Sequence, residues 1–435
     1  MRLKLSLCLL MGLCLSACLS AQEPSAEKIM DQTISVKSTT SLLNTLAADD
    51  MEGRKFGTPG IRKAAAVIAA EFKKAGLHTI PGDSGYYQNF IMVSSKIREK
   101  TVKVNGQIIK EDHSLIISSQ PEINIDAQSG YKVLTAGSQA EFMKLYRSRQ
   151  HPSDNALIVL DRSLLKLLPR LKGMQQNQFQ TPYSTIYIVS QDKPTDYSLK
   201  ATNELTIIHL ANLVGILPGK TKPNERVIFS GHYDHLGIDP NNKTDSIFNG
   251  ANDDASGTTA VIQLAKYYAK LGNNERTLVF AAFTAEEAGG FGSTYFSNQF
   301  DPATVMAMFN IEMIGTDSKW GANSAYITGF EKTDMGKILQ ANLKGTDFSF
   351  HPDPYTDQHL FYRSDNATLA RQGVPAHTIS TSKMDAEPNY HKVSDEVSTL
   401  NLSNMNNIIR SIAFSAGSII SGKDTPSRVD TTTLD

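Results

Sequence analysis

From about residue 212 onward, short unbroken apolar runs alternate with stretches of helical period, and this rhythm predicts a fold class. Residues 226–230 (RVIFS), 276–283 (RTLVFAAF) and 305–311 (VMAMFNI) are nearly all apolar, as strands buried on both faces of a parallel sheet are. Residues 324–328 and 377–381 read as further strands. Between them, 255–271 places Val261, Leu264, Ala265 and Tyr268 on one helical face, and helices are expected at about 286–298, 333–343 and 400–420. Alternating strands and helices predict a doubly wound α/β fold, a mainly parallel mixed sheet flanked by helices. In such sheets ligands bind beyond the carboxyl ends of the strands.

Upstream the texture changes. Residues 41–46 turn helical, Gly57-Thr58-Pro59-Gly60 breaks the pattern, and 61–75 reads as an amphipathic helix closed by Gly76. Residues 102–109 (VKVNGQII) form a strand–turn–strand around Asn105-Gly106, a favoured hairpin turn. Further strands are expected at 156–160, 184–189 and 205–210. The stretch 139–149 and the Leu/Lys run at 163–172 stay ambiguous. The expected organisation is a main domain in two parts, 41–90 and 211–422, split by a β-rich insertion at 91–210 that resembles a protease-associated module or a lid. Residues 423–435 form a polar tail expected to be disordered, and 18–40 a polar tether.

Residues 1–17 read as a leader. Arg2 and Lys4 precede an apolar stretch at 5–15, too short to span a bilayer and suited to a signal peptide. Leu15-Ser16-Ala17-Cys18 then resembles the lipobox of bacterial lipoproteins. Cleavage before Cys18 and acylation there are expected to anchor the chain to a membrane on the exported side of a bacterial envelope. Plain export with cleavage near Ala21 is the alternative.

Composition narrows the chemistry. The three cysteines are Cys8, Cys14 and Cys18, all in or beside the leader, so disulfides, Fe–S clusters and cysteine nucleophiles are excluded from the folded part. Any metal must be held by His and carboxylates. Lys plus Arg number 43 against 44 Asp plus Glu, a balance that gives no reason to expect nucleic acid.

Five segments flank the predicted strands: SGHYDHLG (230–237), GANDDASG (250–257), AFTAEEAGGFGS (282–293), FNIEMIG (309–315) and NYHKVSDE (389–396). A lone Glu-Glu pair is usually a solvated helix face. At the end of a buried strand, Glu286 and Glu287 can divide two tasks, one binding metal and one moving protons. Together with His232, Asp253, Glu312 and His391 they offer two nitrogens and three carboxylates, a donor set that suits zinc. Two Zn²⁺ against Asp253, Glu287, Glu312 and a hydroxide come close to neutrality, as a partly buried site requires. His235 and His359 read as loop or supporting residues. Asp365 and Asp395 read as structural hydrogen-bonding groups, and helix capping falls to Asp254 or Ser256.

The ordered set resembles metallopeptidase family twenty-eight, the co-catalytic di-zinc aminopeptidases, over roughly 41–90 and 212–420, including AADDMEGRKFGTPG (47–60). The resemblance implies a zinc-aminopeptidase-like fold acting on peptide substrates. It implies that Asp253 bridges two zinc ions, that His232 and Glu312 complete one, and that Glu287 and His391 complete the other, with water or hydroxide shared between them. It makes Glu286 the general base that passes a proton from that water to the leaving amine. Asp234 would orient His232 through its ring N–H, and Tyr390 would donate to the oxyanion. Two positions depart from the pattern: Glu312 replaces the usual Asp, and Ser364-Asp365-Asn366 replaces Ser-Asp-His. Carboxypeptidase, dipeptidase or glutaminyl cyclase activity on the same fold, or peptide binding without catalysis, remain alternatives.

Overall fold

A computed structural model describes residues 24–82, 85–149, 152–174, 177–191 and 193–434. The leader and Cys18 lie outside the described residues. Among the described residues no helix is long and apolar enough to cross a membrane.

Four parallel strands make the heart of an 11-stranded mixed sheet: Ala376–Ser380, Val305–Ile311, Lys222–His232 and Arg276–Phe283, in that order. Antiparallel strands close both sides, with Ser324–Ile327 on Ala376–Ser380 and Tyr197–Leu217 on Arg276–Phe283. Every residue of Arg276–Phe283 is buried, which explains the unbroken apolar run. Alternate residues feed two cores: Leu278, Phe280 and Ala282 face one side, Val279, Ala281 and Phe283 the other. On the first side the Phe229 ring lies 5.7 Å from Phe280, 4.8 Å from Phe309 and 5.5 Å from Tyr268 of the helix Gly257–Leu271.

That helix is buried almost all round, because a second layer covers it. Helices Ala26–Thr33, Val36–Leu46, Pro59–Ala75 and Leu402–Ser415 pack there. The expected tether at 18–40 is therefore structured from residue 26. Ser25 caps the first helix, Ser35 closes a capping box on the second, and Ile29, Met30 and Ile34 join the core. Only three apolar positions among polar neighbours carry that docking, too few to register as a pattern. The tail at 423–435 is likewise ordered through residue 434. Val429 is buried and Arg428 donates to the Val305 carbonyl, while fully buried Arg276 donates to the carbonyls of Ile419 and Asp424. These contacts use backbone carbonyls, which side-chain polarity does not reveal.

Strands Tyr87–Val104 and Tyr197–Leu217 pair antiparallel along their length and run out of the main sheet into the insertion. Asn105 and Gly106, both at positive φ, make the hairpin turn at its tip. There a second, four-stranded sheet forms in the order Ser114–Ile117, Thr185–Val189, Ala156–Leu160, Lys132–Ala136. Helices Gln139–Ser148 and Leu167–Met174 cover one face, so both ambiguous stretches are helical and the insertion is mixed α/β. Its strand Asn177–Phe179 reaches back: Phe179 lies 5.0 Å from Phe291, beside the turn that carries Glu286 and Glu287.

Candidate metal centre

The site lies beyond the carboxyl ends of the four parallel strands. His232 is the last residue of Lys222–His232, and Glu312 follows Val305–Ile311 directly. Glu286 and Glu287 follow Arg276–Phe283 in a turn, and the next helix, Phe291–Ser297, starts later than the period suggested. Asp253 stands in the turn before Gly257–Leu271. The helix start is pressed so closely on the sheet that a Cβ at Gly257 would sit 2.0 Å from the Ile311 carbonyl oxygen. Ala285, Met313 and His391 adopt φ of 54°, 51° and 55°. This left-handed backbone costs a non-glycine residue about 1 kcal/mol, and here it aims the neighbouring or own side chain at the site.

Supporting carboxylates fix these turns. Asp254 accepts from the N–H groups of His232 (3.2 Å), Gly257 (3.0 Å) and Met313 (3.0 Å), tying two strand ends to the helix start. Asp395 accepts from Asn252 N–H at 2.8 Å and Asp253 N–H at 3.0 Å. Asp234 stays beside His232, with Oδ1 3.7 Å from His232 Nδ1, and takes on further contacts. Its carboxylate accepts from the N–H groups of Glu286 (3.1 Å) and Glu287 (3.4 Å), while its backbone carbonyl lies 3.1 Å from His232 Nδ1. A carbonyl can only accept, so Nδ1 carries a proton, and Nε2 is the nitrogen left to face Asp253. That Nε2 is buried and finds no hydrogen-bond partner among the described residues.

Arg54, in the EGR stretch of 47–60, was not singled out by the sequence. It is fully buried and donates to the carbonyls of Leu46 (2.7 Å), Tyr233 (3.0 Å), Asn249 (2.5 Å) and Gly250 (2.8 Å). One guanidinium thus joins the loops that carry His232 and Asp253. Arg54→Met is expected to cost more than about 3 kcal/mol, since each stranded buried carbonyl costs about 1–3 kcal/mol. Arg54→Lys should recover little, because one ammonium cannot reproduce the planar fork. Urea denaturation of both variants checks this; stability within 1 kcal/mol of the parent, by the same scale, would contradict it.

Asp253 lies between the two expected metal positions. Its Oδ1 is 3.2 Å from His232 Nε2, and its Oδ2 is 3.3 Å from His391 Nε2. His391 Nε2 is also 3.3 Å from Glu287 Oε2. In a tetrahedron with zinc–ligand bonds of about 2.0–2.1 Å the edges are about 3.3 Å, so these separations fit ligands that share an ion. Glu312 Oε2 is bound by Ser364 Oγ and lies 3.5 Å from Asn310 Nδ2. Asn366, at the other departure, makes hydrogen bonds with Phe361 O, Ala376 O and Thr378 Oγ1, and is structural. Tyr390 stacks on His391 at 3.9 Å and lines a half-open pocket of about 50 Å³ with Glu312, Tyr326, Leu360, Arg363 and Met384.

The electrostatics show an excess of buried negative charge. Burial, with the carboxylates of Glu312, Asp365 and Glu287, pushes Glu286 well above the usual range against the pull of His232. Burial raises Glu312 to about 7 and Asp365 and Asp395 to about 6. Burial alone would lower His391, yet Asp253 and Glu287 raise it to about 10. Asp253 and Glu287 are lowered: burial opposes ionisation, and His232 and His391 around Asp253, or His235 and His391 around Glu287, outweigh it. Divalent cations would relieve this charge.

A pH prediction follows. Glu312, Asp365, Asp395 and His391 hold their protons more tightly folded than unfolded, so the folded chain binds more protons and stability falls as pH rises. The three carboxyl groups act between about pH 4 and 7, and His391 from about pH 6.5 to 10. Asp253 and Glu287, being depressed, act only in acid. In chelator, the melting temperature is expected to be lower at pH 8.5 than at 5.5, and added zinc should raise it more at 8.5. Calorimetry that found the metal-free protein more stable at 8.5 would contradict this.

A doubly wound sheet that gathers histidines and carboxylates at the carboxyl ends of its strands defines an α/β protein equipped to hold divalent cations. Residues 212–415 match the model of Peptidase family M28. Aminopeptidase YwaD of Bacillus subtilis is 26% identical over 209 residues, covering 45% of this chain and 42% of that protein. A protein of Pyrenophora teres f. teres named "Probable zinc metalloprotease" is 33% identical over 113 residues, covering 26% of this chain and 23% of that protein. The matched stretch thus spans well under half of these relatives. Two solved structures share the fold. The aminopeptidase from Aneurinibacillus sp. strain AM-1 superposes with a TM-score of 0.55 at 16% identity, covering 94% of this chain and 99% of that one. BSAP, a zinc aminopeptidase from Bacillus subtilis, gives 0.52 at 16% identity, covering 91% and 98%.

Proposed function

We propose that this chain is a zinc-dependent aminopeptidase that removes N-terminal residues from peptides. The observation that carries the reading is the placement of Asp253, with one carboxylate oxygen toward His232 and the other toward His391 and Glu287. His232, Asp253 and Glu312 would hold one zinc ion, and Asp253, Glu287 and His391 the other. When bound, such a pair lowers the pKa of water and polarises the scissile carbonyl.

The chain's own groups do the rest. Glu286, whose proton affinity burial and neighbouring carboxylates raise, would accept a proton from the attacking water and return it to the leaving amine. Tyr390, which burial and the nearby carboxylates keep protonated, has a hydroxyl to offer the developing oxyanion. The half-open pocket beside Glu312 is where the side chain of the N-terminal residue would lie, and the surplus of carboxylates favours a free ammonium over a blocked terminus. Export and acylation at Cys18 complete the proposal and place the enzyme on the envelope.

The leaderless protein, incubated with a panel of aminoacyl-coumarins, is expected to hydrolyse N-terminally free substrates and to lose that activity in a chelator. Cleavage of N-blocked substrates alone would reject exopeptidase action. Residual activity unaffected by metal removal would reject zinc.

A further inference from the structure

We infer that His235 is a positioning residue that fixes Glu287 as a one-oxygen ligand, and so sets the affinity of the His391-side ion. This rests on the two-ion reading above. His235 is completely buried, and its Nδ1 lies 2.9 Å from Glu287 Oε1. An ionised carboxylate can only accept, so Nδ1 carries the hydrogen. A protonated ring nitrogen has no lone pair to give a cation. Nδ1 is therefore not a ligand, although it converges with Asp253 and Glu287 to within 4.8 Å. Its hydrogen bond occupies Oε1 and leaves Oε2, 3.3 Å from His391 Nε2, to face the ion.

The ring has little freedom to do otherwise. Gly250 packs against it so closely that a Cβ there would lie 2.5 Å from His235 Cδ2, and Phe248 lies edge-on at 6.4 Å. The far nitrogen, Nε2, is buried and finds no partner among the described residues. A buried polar atom without a partner is costly, and the arrangement holds it in exchange for one fixed hydrogen bond to Glu287. Asp234 fixes the same residue from its backbone side through the Glu287 N–H. Glu287 is thus held at both ends, and the side-chain end depends on His235.

The test is titration of metal-free protein with zinc by calorimetry, with bound metal counted by mass spectrometry. The parent is expected to bind two ions. His235→Ala is expected to keep one and to bind the other about 10–100-fold more weakly, the usual effect of losing a partner that orients a ligand. His235→Asn places an amide N–H near the position of Nδ1, and is expected to recover most of that affinity. Melting curves in chelator confirm that both variants fold. Two ions bound by His235→Ala with parental affinity would overturn the assignment. Equal loss in the Ala and Asn variants would make His235 a ligand instead, which also overturns it. If the parent itself failed to take a second ion, the two-ion reading would fall first, whatever the variants did.

Discussion

Glu286→Gln is expected to bind zinc like the parent and to hydrolyse aminoacyl substrates about 10²–10⁴-fold more slowly, the range that a positioned acid–base group supplies. The direction follows from how the turn is built. Glu286 and its neighbour leave the same strand end, but Glu287 points to His235 and His391, and among the described residues no ion pair to a histidine holds the Glu286 carboxylate. It instead sits among Glu312, Asp365 and Glu287, which with burial raise its proton affinity. Glutamine keeps the shape and removes the basicity, so kcat should fall while KM and metal content stay close to the parent's. The acid limb of the pH–rate profile, which reports ionisation of the base, should vanish from the residual activity. Zinc loss in Glu286→Gln would mean that base and ligand had been exchanged in this assignment.

The adjacent glutamates illustrate what a chain displays and what it conceals. Apolar runs at 276–283 and 305–311 announce buried parallel strands, because both faces must be covered. The site residues then follow from the rule that loops at the carboxyl ends carry ligands. His232, Asp253, Glu287 and His391 come together at 3.2–3.3 Å. The supporting groups were less visible. Arg54 acts through backbone carbonyls of residues 8 to 196 positions away, and nothing local marks such a partner. Asp234 was expected to orient His232 with its carboxylate. Its carbonyl lies nearer to that ring, at 3.1 Å against 3.7 Å for the carboxylate, which also holds the Glu286–Glu287 turn. Sequence shows residue types and spacing, while the choice between a side chain and its own backbone is made by geometry. The helix at 26–33 and the first turn of the one at 36–46 were missed for a related reason: their few apolar residues matter only because Gly257–Leu271 needs a cover.

Asp253→Ala is expected to abolish hydrolysis and to weaken binding of both ions by more than about 100-fold, the upper end of what an indirect partner costs. In the two-ion proposal the other ligands would each serve one position. Asp253 offers one oxygen to each, 3.2 Å from His232 Nε2 and 3.3 Å from His391 Nε2, so its removal acts on both ions at once. Melting curves give a readout independent of catalysis. Zinc at a thousand times the dissociation constant stabilises a fold by about 4 kcal/mol, and a hundredfold weaker site reduces this to about 1.4 kcal/mol at the same concentration. The zinc-induced rise in melting temperature should therefore shrink to about a third in Asp253→Ala. It should shrink much less in Glu312→Ala, which leaves the Glu287–His391 pair in place. Equal, parental shifts in both variants would remove Asp253 from the metal centre. A full loss in Glu312→Ala would mean that the two positions fill only together, coupled through the carboxylate they share.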